Sequence, residues 1–554
     1  MAITDTHTTP EIGSGASATG GSSAFPQPRG IAAVIGTGDH KTLGRLYIGF
    51  SLCFGVLSLA LTALFNVNGV KDMSVMADHS FQFFTLGQVG LAFLLLIPLF
   101  VGIATAVVPL QVGASTIAFP RAAAAAFWAW LVSAVLLVVS YVPAVGGGIW
   151  ETESKDGSLL TQLALLGLVL SLLLGTVCVV TTVIALRTAG MHLDQVPLFS
   201  WSMLVAGGVW LFTLPVFAAN LAFIFIDTKY GAPALFGTAS KQWSQLSWLF
   251  TQPAAFVLAI PALGIVGDAI TTFSRGRQPL RGALLFSIGL FGALSLGAYA
   301  QPVYFPGVYL QWVFVSQTAA LFVPVLLLLG TLAYGLKSGS AKAGSPVLLA
   351  FVSLLLLLLA SFAAIPFGLG RLGLQYSPKA VLADNLALRQ ASTGSPLYTW
   401  GVLALLGAGA LAGALAGLYL WGPKIAGKKH ADGLGSLLAI IVLVGGILAG
   451  APLLVLGFAN RTASLADSAN VMFQAAAAGS AVIAFVVLVA LVVSLASRVS
   501  ALSHPAGLDD DAWGFGQTLE WAAGSPPAPG NFGELPHVTS PEPLLDLAES
   551  GGTD

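Results

Sequence analysis

The residues best able to hold a transition metal or pass a proton are few in this 554-residue chain: seven histidines, two cysteines and a thin scatter of acids. Imidazole is a neutral nitrogen donor and thiolate a soft sulfur donor, so a metal centre shows as several of them at ligand spacing. His7, His40, His79, His192, His430, His504 and His537 instead fall singly in polar stretches or at the ends of apolar runs. Cys53 and Cys178 lie alone in apolar runs and read as small core residues. Asp268 and His79 stand near the ends of apolar runs, and no other acid or base reads as buried. Ionisable groups inside a membrane mark ion or proton paths, so transport through membrane carboxylates is not expected. The most unusual polar residue is Gln252, in "SWLFTQPAAFVLAIPALG" (247–264), followed at once by Pro253 and then by Pro261. An amide oxygen is a weak, hard donor that suits calcium better than a softer transition metal. Gln252 and Gln301 are therefore expected to hydrogen-bond across helices rather than to bind metal.

The elements that must position these residues are membrane helices. The chain is 56% apolar and only 8% charged, against about 25% charged in an ordinary soluble domain. Such a surface faces lipid, and a net charge of −1 gives no reason to expect nucleic acid. Twelve runs approach the roughly 20 apolar residues a membrane helix needs: 46–66, 82–109, 122–144, 159–186, 200–226, 245–270, 281–300, 310–336, 346–367, 397–421, 435–458 and 471–497. The loops carrying Lys41, Arg45, Arg121, Arg187, Arg277, Lys337, Lys424 and Arg498 alternate with less basic ones carrying Lys71, Lys155, Lys229, Arg371 and Arg461. The positive-inside rule then puts both termini in the cytoplasm. Residues 1–40, rich in Gly, Ser, Thr and Pro, read as a disordered cytoplasmic N-terminal tail. Residues 41–500 read as one twelve-helix membrane domain, and residues 501–554 as a cytoplasmic C-terminal tail. Tryptophans such as Trp130, Trp210, Trp400 and Trp421 fall toward predicted helix ends, as interfacial anchors do.

Five motifs follow in order: "DHKTLGRLYIGF" (39–50), "VVPLQVGASTIAFPRAAAAAFW" (107–128), "RTAGMHLDQVPLFSWSMLVAG" (187–207), "GLYLWGPKIAGK" (417–428) and "TLEWAAGSPPAPGNFGELP" (518–536). Together they resemble subunit I of the haem-copper oxidases, the cytochrome c oxidase type, from Asp39 onward. The resemblance implies an all-α membrane protein, a twelve-transmembrane-helix bundle arranged in three arcs. It also implies haem and copper cofactors, oxygen reduction, proton pumping, and six intramembrane histidines to hold the metals. This chain resembles a divergent member that lacks those ligands. The family's haem-ligand positions match Gly87, Gly401 and Leu403, and its copper-ligand positions match Gln252, Gln301 and Pro302. The proton-carrying glutamate matches Ala254, the redox tyrosine Phe256, and the channel lysine Leu328. Thr116, Thr105 and Ala123 stand where the other proton route has its aspartate and asparagines, and only Arg461 remains near the propionate-binding pair.

The resulting expectation is a haem- and copper-free relative with no catalytic, cofactor-binding or metal-binding residues. It would act as a structural or assembly subunit of a bacterial respiratory complex in the inner membrane. Its expected partners are oxidase subunit II- and III-like proteins or a cytochrome c-bearing protein, besides lipid. Two alternatives stand beside it: a working terminal oxidase subunit, and a passive conduit for a small neutral molecule. His40 is expected as an interfacial contact, and "TLEWAAGSPP", polar and proline-rich, as a surface that touches neighbours.

Overall fold

The computed structural model describes residues 34–70, 80–141, 155–230, 243, 245–296, 308–371, 396–459, 466–503 and 511–550. Contacts divide the chain into a unit ending at Thr37 and a unit from Gly38 onward. In the first, the Thr37 N–H closes a turn on the Val34 carbonyl.

In the second unit the regular elements are helices, as lipid requires of a chain that must satisfy its own backbone donors and acceptors. In chain order they are α1 (His40–Asn68), α2 (Ser80–Val89, a π-helical Gly90–Leu96, then Ile97–Gln111), α3 (Pro120–Ser140), α4 (Lys155–Ala185) and α5 (Leu198–Tyr230). There follow α6 (Ile260–Ser274), α7 (Arg281–Ser295), α8 (Val308–Ala320 and Phe322–Ser338), α9 (Ser345–Arg371), α10 (Pro396–Leu420), α11 (Asp432–Ala459), α12 (Ala466–Ser503) and α13 (Pro543–Ser550). Among the described residues ten helices are long and apolar enough to cross a membrane, and α6 and α7 are shorter apolar helices. These twelve correspond to the twelve predicted runs. Local chemistry sets several starts. The Asp39 carboxylate caps α1 by accepting from the Thr42 N–H at 3.2 Å and its hydroxyl at 2.9 Å. Pro120 opens α3, where a missing N–H costs nothing.

The sixth run differs from expectation. Residues 245–270 were read as one helix, but Ser247–Phe250 and Ala254–Leu258 are 3-10 turns and the α-helix begins only at Ile260. Pro253 cannot donate to a preceding carbonyl and crowds the turn before it, whereas Pro261 fits the first turn of α6.

The glycine-rich α10 lies at the centre, against α6, α9 and α11. A Cβ at Gly401 would lie 2.8 Å from the Gly450 carbonyl oxygen and the Leu454 amide of α11. One at Gly413 would lie 2.6 Å from Ala262 of α6. Small residues thus bring these backbones into contact. Trp130, Trp210 and Trp421 are fully buried, which corrects the reading of them as interfacial anchors. The indole N–H groups of Trp130 and Trp210 donate to the carbonyls of Phe93 and Val257, each at 3.0 Å, so burial leaves neither unsatisfied. Cys178 is buried as expected, but Cys53 is on an exposed face of α1 rather than in the core.

Residues 511–550 lie across the end of the bundle where α1 begins. Asn531 pairs with His40 at 3.1 Å and donates to the Ala114 carbonyl at 2.8 Å. Lys41 donates to the Ala528 carbonyl, Lys424 to the Ala523 carbonyl, and the Trp513 indole to the Leu420 carbonyl. At α13, Arg277 bonds Asp546 and Glu549.

Candidate functional site

The described positions singled out for metal chemistry are closely packed. A Cβ at Gly87 would lie 2.8 Å from the Thr62 hydroxyl and 3.3 Å from the Trp400 ring. The Trp400 ring in turn packs against Phe65 and Phe84, at centroid distances of 6.2 and 5.2 Å. Leu403, buried, joins Trp400, Leu59, Leu91 and Leu95 around a cavity of about 40 Å³ between α1, α2, α10, α11 and α12. That is room for a few water-sized molecules at about 10–15 Å³ each. Gly401 faces the α11 backbone. Ala254 and Phe256 are buried in the 3-10 turn before α6, with the Phe256 ring edge-on to Phe291 at 5.9 Å. Leu328 is fully buried on α8. Gln301, Pro302, Arg461 and His79 lie outside the described residues.

Gln252 corrects the reading that its amide bonds across helices. It is 1% exposed, and neither its Oε1 nor its Nε2 has a hydrogen-bond partner. A buried polar group without a partner costs about 1–3 kcal/mol. Gln252→Leu, of similar length and wholly apolar, is therefore expected to leave thermal stability unchanged or raise it by about 1 kcal/mol. A clear drop in the melting temperature of the purified variant would mean that the amide does have a partner.

A second polar assembly sits where the bundle meets the C-terminal segment. Asp268, on α6, accepts the first two N–H groups of α5, from Leu198 at 2.8 Å and Phe199 at 3.0 Å. The orphan donors of that helix end and its dipole make this a natural seat for a carboxylate. The Gln111 amide, at the end of α2, donates to Asp268 at 2.8 Å and to Glu520 at 3.2 Å, and its oxygen accepts from Ser200 at 2.7 Å. The Trp421 indole reaches the same Glu520 oxygen at 3.4 Å. Glu520 is 1% exposed and its other oxygen, Oε2, has no partner. Burial, which disfavours the charged form, pushes its carboxyl above the ordinary glutamate range. Beside it Lys424, also buried, lies 5.4 Å from the Trp521 ring.

The sequence does not point to this assembly, since only Asp268 and His79 read as candidate buried ionisable groups. His40, Asp227, Lys424 and Glu520 are buried as well. The expectation for "TLEWAAGSPP" changes too. Leu519, Glu520 and Trp521 are buried against this chain's own helices. The available signal was an acid set between a leucine and a tryptophan, a pattern out of place on a solvated face. His40 is a contact as expected, buried and paired with the Thr105 carbonyl and Asn531. Among the described residues no three His, Cys, Asp or Glu side chains converge.

Among the described residues, twelve apolar helices packed with the glycine-rich α10 at their centre define a class of helical membrane protein. The chain belongs to the family described as Cytochrome C and Quinol oxidase polypeptide I, whose family model matches residues 42–373. It is 29% identical to a probable cytochrome c oxidase subunit 1-alpha of Streptomyces avermitilis, over 92% of this chain and 88% of that one. It is 27% identical to cytochrome c oxidase subunit 1 of Corynebacterium glutamicum, over 94% and 91%. A haem-copper oxidase subunit I+III of Aeropyrum pernix is 26% identical over 93% of this chain and 63% of its own length.

The family binds haem and copper, but the residues present do not fit them. The positions expected to hold them, Gly87, Gly401, Leu403 and Gln252 among the described residues, carry glycine, leucine and one amide, where these metals need imidazole or thiolate. Beside Gly87 and Leu403 stand the Thr62 hydroxyl, the Trp400 ring and leucine side chains, and they leave only the small cavity of about 40 Å³.

Proposed function

We propose that this chain is a haem- and copper-free relative of cytochrome c oxidase subunit 1 that acts as a structural or assembly subunit of a respiratory membrane complex. The observation that carries the reading is Trp400 packed against Gly87. An indole occupies the side of α2 where the family's haem ligand would stand, and the neighbouring ligand position, Leu403, completes an apolar wall. Subunit II- or III-like proteins are the proposed partners, in keeping with a relative whose name joins subunits I and III. The proposed location is the bacterial inner membrane with both termini cytoplasmic. Lys41, Lys424, Arg277 and Lys429 all gather on the C-terminal segment, in line with a single basic face. The proposed division is a leading tail of residues 1–40, a membrane domain of 41–500 and a C-terminal tail of 501–554.

The test is to purify the chain from its native membrane, then measure haem by its reduced-minus-oxidised spectrum and copper by elemental analysis. Both are expected far below one per chain, with a second oxidase-type subunit co-purifying. Stoichiometric haem or copper in this chain sinks the proposal and favours a working oxidase subunit.

A further inference from the structure

Glu520 is an acid in a place where an isolated carboxylate is costly. It sits in a 3-10 turn, Leu519–Ala522, with Leu519 and Trp521 buried on either side. One oxygen receives the Gln111 amide and, at longer range, the Trp421 indole, while the other has no partner. The same Gln111 amide donates to Asp268, so a single NH2 group bridges two carboxyls. Ionised together, the two carboxylates would repel each other across that amide. Lys424, over the Trp521 ring, donates its ammonium to the Ala523 and Gly524 carbonyls. A buried acid with an unpaired oxygen beside another acid is relieved by one proton.

We propose that Glu520, set against Asp268 through the Gln111 amide, is a proton-binding site that latches the C-terminal segment onto the end of the helix bundle. With the proton on Glu520 the turn stays seated. When the carboxyl O–H bond breaks, the proton passes to bulk water and Glu520 is left as a buried carboxylate beside Asp268. The segment then loosens, because only undocking returns that charge to water. The sign follows from linkage. The docked carboxyl holds its proton more tightly than the free one, since burial raises it. Docking is thus tightest below the ordinary glutamate range and weakens as pH rises through the raised value.

Other groups face the segment and must be separated from Glu520. His40 and Lys41 on α1 meet it at Asn531. Arg281, at the start of α7, acts on both Asp268 and Glu542. Glu542 lies 3.9 Å from Arg277 and is also raised by burial, while Asp546 and Glu549 pair with the same Arg277.

The test is hydrogen exchange on the full-length protein in lipid nanodiscs from pH 5 to pH 9, read as protection factors for residues 519–523. Protection is expected to fall with rising pH by up to about tenfold per pH unit, the limit for one proton. Glu520→Gln, which mimics the protonated acid, is expected to flatten the profile. Glu542→Gln is expected to keep it. A flat wild-type profile, or a Glu520→Gln profile as steep as wild type, overturns the proposal. Should Glu520→Gln fail to fold, infrared spectroscopy of the wild-type protein decides. A protonated-carboxyl band at neutral pH that disappears together with the protection supports the latch, and its absence overturns it.

Discussion

Gly401→His, which puts an imidazole at the proposed haem-ligand position, is expected to destabilise the bundle and to bring in no haem. The position lies where α10 and α11 touch backbone to backbone, and even a Cβ would meet the Gly450 carbonyl oxygen and the Leu454 amide at 2.8 Å. Neither obstacle is a flexible side-chain end, so the two helices must separate. Overpacking of this kind costs about 1–3 kcal/mol, and a buried imidazole without partners adds about 1–3 kcal/mol. A total loss near 4 kcal/mol is expected in thermal or denaturant unfolding of the purified protein. Gly401→Ala isolates the packing part and should show about half of it. A Gly401→His protein that melts like wild type, or that shows a stoichiometric haem absorption band, would contradict both the packing and the proposed function.

Asp268→Ala is expected to be comparably damaging for a different reason. The carboxylate satisfies two orphan N–H groups at the start of α5 and one Gln111 donor. Loss of a helix cap costs about 0.5–2 kcal/mol, and each buried donor left unpaired costs about 1–3 kcal/mol. The sum is near 4 kcal/mol, measured as the shift of the unfolding transition. Asp268→Asn should fall between wild type and alanine. Its oxygen can still accept one backbone N–H, but its own NH2 group then faces other donors. A loss below about 1 kcal/mol for alanine would mean that water replaces the carboxylate at no cost.

The two cases separate what could be read along the chain from what could not. The twelve apolar runs were legible because lipid leaves one solution for a hydrophobic stretch of that length, and each run became a helix or, for the sixth, a proline-broken one. The absence of imidazole at Gly87, Gly401, Leu403 and Gln252 was equally legible, since donor chemistry is a property of residue type. What fills the space was not. That Trp400 turns onto Gly87, or that Gln252 keeps both amide atoms unpaired, depends on neighbours from other helices.

Glu520 was the least legible. In sequence it is one acid in a polar, proline-rich stretch, 409 residues from Gln111. Its burial comes from the C-terminal segment folding back across the bundle, for which the flanking Leu519 and Trp521 are the one local hint. The sequence by itself therefore determined the membrane-spanning architecture and the family, because hydropathy and motif chemistry belong to single residues and short runs. Only the tertiary structure decided which helices touch through α10 glycines, which indoles enter the core, and that Asp268, Gln111 and Glu520 meet. Those outcomes depend on contacts between distant segments, where shape and unsatisfied polar groups, not local composition, set the energy.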